Sequence, residues 1–226
     1  MILISPSYEI LCDNKDSYKE YVYKQIADAA RTCYKSEGSS RPDADIRLIK
    51  RLVASGHEAM LEHASITVKF ITDRGISHEI VRHRMASFAQ ESQRYCRYSD
   101  SKFGNAITYC KIKDALEIDP VTIKLTAEQK TFLLNEWLEA CKDAEKHYLR
   151  ILDIGASPQI ARSVLNNSTK TEIVVTANIR EWRHILSLRA AGTTGKPHPQ
   201  MIELMAPLLK EFSEWMPELF QDIEKE

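Results

Sequence analysis

Apolar positions recur along the chain with two spacings, one that predicts helices and one that predicts strands. Apolar residues follow helical spacing in 17–34 and 43–55, so both segments are expected to be helices. Ile66, Val68 and Phe70 alternate with polar residues, which predicts a strand. The other assignments in this half are a strand at 2–11, a Gly/Ser/Pro loop at 35–42, a helix at 76–85, and no assignable element over 98–125.

The second half of the chain opens with the clearest helix signal. Thr126 and Gln129 form a capping-box pattern, and the helical spacing that follows ends at Gly155. Ser157 and Pro158 offer a cap and a first-turn proline for a short helix through 165. The pattern then predicts a strand at 172–177 and helices at 179–190 and 199–220, the last kinked or interrupted at Pro207. With no repeat or linker, these elements predict one α+β domain over 1–226.

Composition limits the class of protein. The 226 residues are 43% hydrophobic and 28% charged, which is typical of a soluble protein with a sizeable core. No apolar run approaches the roughly 20 residues of a membrane helix, and the first residues lack the features of a secretory signal. The five cysteines are odd in number and contain no CxxC pair, so neither a disulfide framework nor a zinc ribbon is indicated. We therefore expect a cytoplasmic protein without a membrane partner.

Positive charge is concentrated in one stretch. Arg82-His83-Arg84 is followed, after seven residues, by Ser92-Gln93-Arg94-Tyr95, with Arg97 close behind and Glu91 as the single acid. The whole chain is balanced, with 31 Lys and Arg against 32 Asp and Glu. A local cluster on a neutral chain indicates a site for a small polyanion, because the planar guanidinium grips phosphate or carboxylate. On a helix Arg82 and Arg84 would point about 200° apart, which suggests two ligands or two subunits.

Several familiar sites are absent from the sequence. No glycine pattern forms GxGxxG or a Walker A loop, so phosphates would be held by side chains. His57 and His63 lie six residues apart rather than four, which does not fit a zinc helix, and we expect no metal. Arg162, Arg180 and Arg189 form a second group of candidates in the last third of the chain, whereas Arg183 reads as a side chain that snorkels from an apolar stripe.

The Arg-His-Arg run, seven residues and then Ser92 resemble the signature of flavin-dependent thymidylate synthases, the ThyX family. Similar segments occur in the expected order at 57–63, 160–162, 178–189 and 198–201. The resemblance spans nearly the whole chain and implies a homotetramer with shared active sites and a central, antiparallel-containing sheet packed by helices. It also implies conversion of dUMP to dTMP with FAD, NADPH and methylenetetrahydrofolate, without an enzyme nucleophile.

The resemblance further implies roles for individual positions. Those expected to hold FAD are His57, Ala59, Arg82, His83, Arg84, Gln90, Asn178, Ile179, Arg180 and His184. Those expected to hold dUMP are Glu79, Ile80, Val81, Arg82, Gln90, Glu91, Ser92, Gln93, Arg94, Arg162 and Arg189. Arg189 is the expected catalytic residue, because the matching position approaches the uracil edge and favours ionisation of N3. The chain departs from many members at Ala59, Glu79, Ala89, Gln90 and His184.

Two other classes of function remain open from the sequence. The basic 82–97 stretch, with Tyr95 and Tyr98 as stacking platforms, would suit a nucleic-acid-binding module, although the near-neutral charge balance counts against it. The arginines would also suit an interaction protein that pairs acids across an oligomer interface. Cys96, beside Tyr95, is interpreted as structural rather than as a nucleophile.

Overall fold

The computed structural model describes residues 1–35, 41, 43–100 and 104–223. Most of the predicted loop at 35–42 lies outside the described residues. The chain divides into two compact units: unit 1 comprises 1–8, 70–82 and 88–174, and unit 2 comprises 9–69, 83–87 and 175–226. The expectation of one catalytic domain over 1–226 stays a prediction.

Within the described residues, six strands form two sheets. The larger sheet has the order β2 (Ser7–Ile10), β3 (Ser65–Asp73), β6 (Lys170–Asn178) and β4 (Ala86–Gln90). Strands β3 and β6 are antiparallel, because Thr67 contacts Thr176 while the Arg74 N–H donates to the carbonyl of Thr169. A smaller sheet pairs β1 (Ile2–Ile4) in parallel with β5 (Thr108–Cys110). These elements and the helices that follow confirm a mixed α/β fold with an antiparallel-containing sheet.

The helices agree with the sequence pattern at most positions. In chain order they are α1 (Lys15–Tyr34), α2 (Ala44–Ala54), α3 (Arg74–Ile80), α4 (Ala115–Ile118), α5 (Ala127–Asp153), α6 (Pro158–Ala161), α7 (Ile179–Leu186), α8 (Pro199–Trp215) and α9 (Pro217–Phe220). Both bonds of the predicted capping box are present at the start of α5, between Thr126 and Gln129. None of the described helices is long and apolar enough to cross a membrane.

The structure differs from three of the predicted elements and finds regular structure in the region that had none assigned. The strand at 2–11 is broken into β1 and β2 around Pro6, which has no N–H for a sheet ladder. The 98–125 region holds β5 and α4. The predicted helix at 76–85 begins at Arg74 and ends at Ile80, and β4 then occupies 86–90. Helix α8 continues through Pro207, since buried residues on both sides hold it against the core, and the segment breaks instead before Pro217.

The core of unit 2 fixes α7, the helix that carries several candidate residues. The indole N–H of Trp182 donates to the carbonyl of Ile66 at 2.9 Å, and its ring meets Phe212 edge-on at 5.6 Å. Phe212 in turn packs against Phe220 at 4.9 Å. Trp182, Ile185 and Leu186 fill the buried face of α7. The opposite face, with Arg180 and His184, is therefore exposed to solvent in the single chain.

The core of unit 1 is built around α5. It also anchors the segment that follows β4, through Tyr98. Tyr98, Tyr109, Cys141 and Tyr148 belong to one buried cluster, with Cys96 packed against its edge. The Tyr98 N–H donates to the hydroxyl of Tyr148 at 3.3 Å, and the two rings lie 5.9 Å apart. Because Tyr98 is anchored in this core, it fixes the far end of the polar segment 90–98, which contains most of the candidate substrate residues.

Candidate active site

The arginine run lies in a turn rather than on a helix. Asp73 caps α3 by accepting from the Ile76 N–H at 2.8 Å, and α3 ends at Ile80. Arg82 and Arg84 are exposed, while the His83 side chain is buried. The expectation that Arg82 and Arg84 diverge as neighbours on a helix is therefore wrong, and it is the turn that separates them.

Residues 90–94 of unit 1, here called the cradle, contain most of the predicted substrate residues. The Gln90 amide donates to the hydroxyls of Ser77 at 2.8 Å and Thr171 at 3.2 Å. Glu91 accepts from the Tyr98 hydroxyl at 3.0 Å and from the Lys170 ammonium at 2.9 Å. The side chains of Gln90 and Glu91 thus bond to the body of unit 1 and hold the segment in place.

Tyr98 and Lys170, the two groups that donate to Glu91, are kept protonated by their surroundings. Burial, with the nearby Glu91 carboxylate, raises the pKa of Tyr98 well above its usual value. For Lys170, burial lowers the pKa, but the hydrogen bonds that its ammonium donates to Glu172 and Glu91 outweigh burial and raise the pKa overall. Tyr98 and Lys170 therefore remain donors to Glu91 throughout the neutral range.

The outward part of the cradle is cationic. Arg94 is exposed, with its guanidinium 5.6 Å from the Tyr95 ring centroid, and its N–H donates to the Ser92 hydroxyl at 3.3 Å. Arg162 is exposed on the 3₁₀ turn Arg162–Val164 that follows α6. Neither Arg94 nor Arg162 forms an ion pair with any residue that the structure describes.

Arg74 is a candidate that the sequence reasoning missed. One of its terminal amino groups donates to the Glu91 carbonyl at 2.9 Å, so Arg74 helps to hold the backbone of the cradle. Burial lowers the pKa of Arg74, and the positive charge of Arg162 lowers it further. Its buried Nε has no hydrogen-bond partner among the described residues. Two guanidinium groups close enough to interact are favourable only when an anion lies nearby. Arg74 follows a buried strand, but its nearness to Arg162 could not be read from that position.

Unit 2 contains a cleft of about 500 Å³ beside α7. Its lining residues come mainly from α7 and from the 3₁₀ turn Glu58–His63: Glu58, Glu62, Met85, Asn178, Arg180, Glu181, Arg183, His184, Ser187, Asp222 and Ile223. The predicted flavin residues Asn178, Arg180 and His184 therefore share one cavity. His57 and Ala59 flank Glu58 and are exposed, but they do not line it. The Ile179 side chain is buried, and its backbone N–H donates to the Ala64 carbonyl at 2.9 Å.

The two guanidinium groups of this cleft are paired with carboxylates. Arg180 donates to Glu62 at 2.6 Å and lies 3.5 Å from Glu58. Arg183 donates to both oxygens of Asp222, at 2.8 and 2.6 Å, and to the carbonyl of Leu219. The Arg183 side chain is 12% exposed and its guanidinium ends at Asp222, whose side chain is 50% exposed, so the snorkelling of Arg183 stays a prediction. The cleft is thus rich in hydrogen-bond acceptors, and its cations are already neutralised.

A buried polar group lies deeper in unit 2, around His83. The Arg189 Nε donates to His83 Nε2 at 3.1 Å. On the other side of the ring, His83 Nδ1 is 3.7 Å from a Glu181 carboxylate oxygen. The His184 ring meets the His83 ring edge-on at 6.0 Å. Arg189 is carried by the π-helical turn Ser187–Ala191, which ends at Gly192 in the left-handed region, where glycine is favoured.

The structure distributes the predicted site residues between the units. Unit 1 holds Glu79, Ile80, Val81, Arg82, Gln90, Glu91, Ser92, Gln93, Arg94 and Arg162. Unit 2 holds His57, Ala59, His83, Arg84, Asn178, Ile179, Arg180, His184 and Arg189. Among the residues described, no group of three or more His, Cys, Asp or Glu is placed to hold a metal ion.

Comparisons with known proteins agree with the sequence signature. Residues 17–218 match the family model described as thymidylate synthase complementing protein. The flavin-dependent thymidylate synthase of Corynebacterium aurimucosum is 33% identical over 198 residues, which cover 86% of this chain and 77% of that protein. The enzyme of the same name from Geobacter sulfurreducens is 34% identical over 172 residues, covering 73% of this chain and 67% of that protein.

A solved structure shares the fold. The UMP/dUMP methylase PolB from Streptomyces cacaoi, crystallised with 5-bromo-dUMP, superposes with a TM-score of 0.77 at 24% identity. The match covers 98% of this chain and 96% of that chain. The mixed α/β architecture is therefore one already seen in a solved structure.

Proposed function

The chain belongs to the thymidylate synthase complementing protein family, and on that basis we propose that it is a flavin-dependent thymidylate synthase. The proposed reaction is the reductive methylation of dUMP to dTMP, with methylenetetrahydrofolate as carbon donor and NADPH as reductant. The observation that carries the proposal is a pair of exposed arginines in unit 1, Arg94 in the cradle and Arg162 after α6, which form no ion pair with described residues. A dianionic nucleotide phosphate would supply the missing counter-charge.

The residues of unit 2 fit a flavin dinucleotide. The cleft volume of about 500 Å³ lies within the range of small-molecule sites. The Glu58 and Glu62 carboxylates accept hydrogen bonds from hydroxyl and amino groups but repel phosphate. Arg84, next to the cleft residue Met85, is exposed and forms no ion pair with described residues, so it is the cation of unit 2 best suited to the pyrophosphate. When bound, FAD would take hydride from the reductant and relay the methylene group.

Arg189 would act on the uracil ring. C5 of uracil is a poor nucleophile, and its methylation requires negative charge to build on the ring. A guanidinium fixed at the N3 edge stabilises that charge before the reaction begins, and one such preorganised donor contributes about 3 kcal/mol to transition-state stabilisation. The bond from Arg189 Nε to His83 fixes one edge of the guanidinium, as this role requires.

The single chain leaves Arg82, Arg84, Arg94 and Arg162 exposed, and we propose that a homotetramer covers them at shared active sites in the cytoplasm. The nucleotide would lie against Arg82, the cradle and Arg162, with Glu79, Ile80 and Val81 bordering it. Since FAD also carries phosphate, exposed guanidinium groups at several positions are consistent with separate ligands and separate chains.

The test is spectroscopic and chemical. The purified protein, supplied with FAD, should be yellow, and dUMP should change its flavin absorbance. It should form dTMP when methylenetetrahydrofolate and NADPH are added. Parallel assays with UMP would show whether the ribonucleotide is also methylated, because PolB, which shares the fold, is named a UMP/dUMP methylase. A colourless protein whose binding to single-stranded nucleic acid falls steeply with salt would reject the proposal in favour of a nucleic-acid-binding module.

A further inference from the structure

Unit 2 contains a buried Glu–His–Arg series that ends at Arg189. Only 5% of the His83 side chain and 11% of the Glu181 side chain are exposed. Arg189 Nε is 3.1 Å from His83 Nε2, and His83 Nδ1 is 3.7 Å from Glu181. Glu181 lies in the first turn of α7, and its N–H donates to the side chain of the N-cap residue Asn178 at 2.8 Å. The helix cap therefore fixes the backbone from which the carboxylate projects.

The direction of the Arg189 bond determines the protonation of His83. A guanidinium N–H can only donate, so His83 Nε2 must offer a lone pair. The ring is then neutral and carries its proton on Nδ1, the nitrogen that faces Glu181. In water a neutral imidazole places its proton mainly on Nε2, so the observed arrangement needs a stabilising group at Nδ1. Among the described residues, Glu181 places a carboxylate on that side of the ring, and the His184 ring is a further titratable neighbour.

We propose that Glu181 is a positioning residue, which holds His83 as the Nδ1–H tautomer so that His83 Nε2 orients the guanidinium of Arg189. The inference rests on the proposed function, because Arg189 is assigned there to the uracil ring. Burial raises the pKa of Glu181, and the His184 side chain opposes that rise. The carboxylate is thus desolvated, which strengthens its interaction with the Nδ1–H of His83.

The experiment compares Glu181→Leu and Glu181→Gln with a matched control. Glu181→Gln keeps an oxygen acceptor on the side of the ring where the carboxylate lies 3.7 Å from Nδ1, whereas Glu181→Leu removes it. The control is Glu218→Leu, because Glu218 lies in the same unit with a side chain that is also 11% exposed and accepts from Tyr23 rather than from His83. Nitrogen-15 NMR of histidine-labelled protein reports the tautomer, with the His83 signal assigned by its loss in His83→Gln.

The wild type and Glu181→Gln should show His83 protonated on Nδ1 at neutral pH. Glu181→Leu should shift the ring toward the Nε2–H tautomer and lower kcat about tenfold, with flavin content and dUMP affinity within about twofold of wild type. Glu218→Leu should keep the wild-type tautomer and kcat. A wild-type His83 protonated on Nε2, or on both nitrogens, overturns the proposal even if Glu181→Leu fails to fold. An unchanged tautomer in folded Glu181→Leu also overturns it.

The tautomer is measured without turnover, so the two proposals fail separately. Absence of dTMP formation by the wild type would reject the proposed function and leave the His83 tautomer to be judged on its own. Normal dTMP formation together with the wrong tautomer would reject only the role of Glu181.

Discussion

The exposed arginines of unit 1 and the arginines of the unit 2 cleft differ in whether a carboxylate neutralises them. In the cleft, Arg180 and Arg183 donate to Glu62 and Asp222. In unit 1, Arg94 and Arg162 form no ion pair within the described part of the chain. The nearby Arg74 donates to a backbone carbonyl and lies close enough to Arg162 for the two charges to repel.

The difference shows which arginines are available to a ligand. A guanidinium already bonded to carboxylates must break those bonds before it can grip phosphate. Arg94 and Arg162, which pair with no carboxylate among the described residues, would gain a counter-charge from an incoming anion without breaking an existing ion pair. We therefore assign phosphate recognition to the cradle, and hydrogen bonding of uncharged ligand groups to the cleft.

The largest expected effect concerns Arg189, whose Nε is bonded to an imidazole nitrogen rather than to a carboxylate. Arg189→Lys should lower kcat about a hundredfold, because a lysine cannot reproduce the planar fork or the bond to His83. Flavin content, measured by absorbance of the purified protein, should remain near wild type. Loss of flavin and of turnover in equal proportion would place Arg189 in the cofactor site instead.

The next effect tests the comparison directly. Arg162→Gln and Arg94→Gln should each weaken dUMP binding by about ten- to a hundredfold, because each removes a charge-assisted bond to the phosphate. Arg180→Gln should change dUMP affinity by less than about threefold, since its guanidinium already pairs with Glu62. Titration calorimetry at two salt concentrations measures both. If Arg180→Gln weakens binding as much as Arg94→Gln, the division between cradle and cleft is wrong.

Parts of this division were predictable and parts were not. The capping box at Thr126 and the grouping of Asn178, Arg180 and His184 depend on nearby residues, and the structure contains both. Partners distant in sequence were missed: Asp222, which holds Arg183, lies 39 residues further along the chain. The true end of α3 was also missed, because β4 is stabilised by pairing with β6, a strand that no local pattern around 81–85 reveals.

Gln90 and Glu91 show a second limit of the sequence. Both belong to the family-like motif and were expected to contact ligands. Their side chains bond to Thr171 and Lys170 of β6 and thereby hold the cradle, and their contact with ligands stays a prediction. A motif indicates that a residue type matters, but only the fold shows whether it faces the ligand or the body of the protein.

Removal of the inner support should have a smaller effect than removal of a cradle arginine. Lys170→Met leaves Glu91 without its ammonium partner, so the cradle should shift and the KM for dUMP should rise about tenfold. Lys130→Met is the control, because Lys130 has nearly the same exposure, 19% against 18% for Lys170, and pairs with Glu117. Steady-state kinetics with both variants should show a change only for Lys170→Met. Equal changes would mean that the ion pair acts on overall stability alone.

The paired arginines of the cleft should affect stability more than binding. Burial raises the pKa of Asp222, but its bonds to Arg183 outweigh burial and lower it overall. A carboxyl with a lowered pKa in the folded state stabilises the protein above its unfolded pKa of about 4, and this stabilisation is lost as the pH falls through the folded value. Arg183→Gln should therefore reduce the free energy of unfolding by about 1 kcal/mol at pH 7.

Urea denaturation of wild type and Arg183→Gln over a range of pH measures this effect. The two stability curves should converge as the pH falls below about 4, because protonated Asp222 no longer pairs with Arg183. A constant difference down to pH 3 would indicate that Arg183 acts through its contact with the Leu219 carbonyl rather than through its charge.

The smallest expected effect concerns Cys96, which lies between the cradle and the aromatic cluster of unit 1. Its side chain packs at the edge of the cluster that contains Tyr98 and Tyr148. If charge placed by arginines activates the uracil ring, no thiol needs to add to it. Cys96→Ala should then keep kcat within about twofold and reduce the free energy of unfolding by at most about 1 kcal/mol, through lost packing. A folded, flavin-loaded Cys96→Ala protein without turnover would show that the thiol takes part in the chemistry.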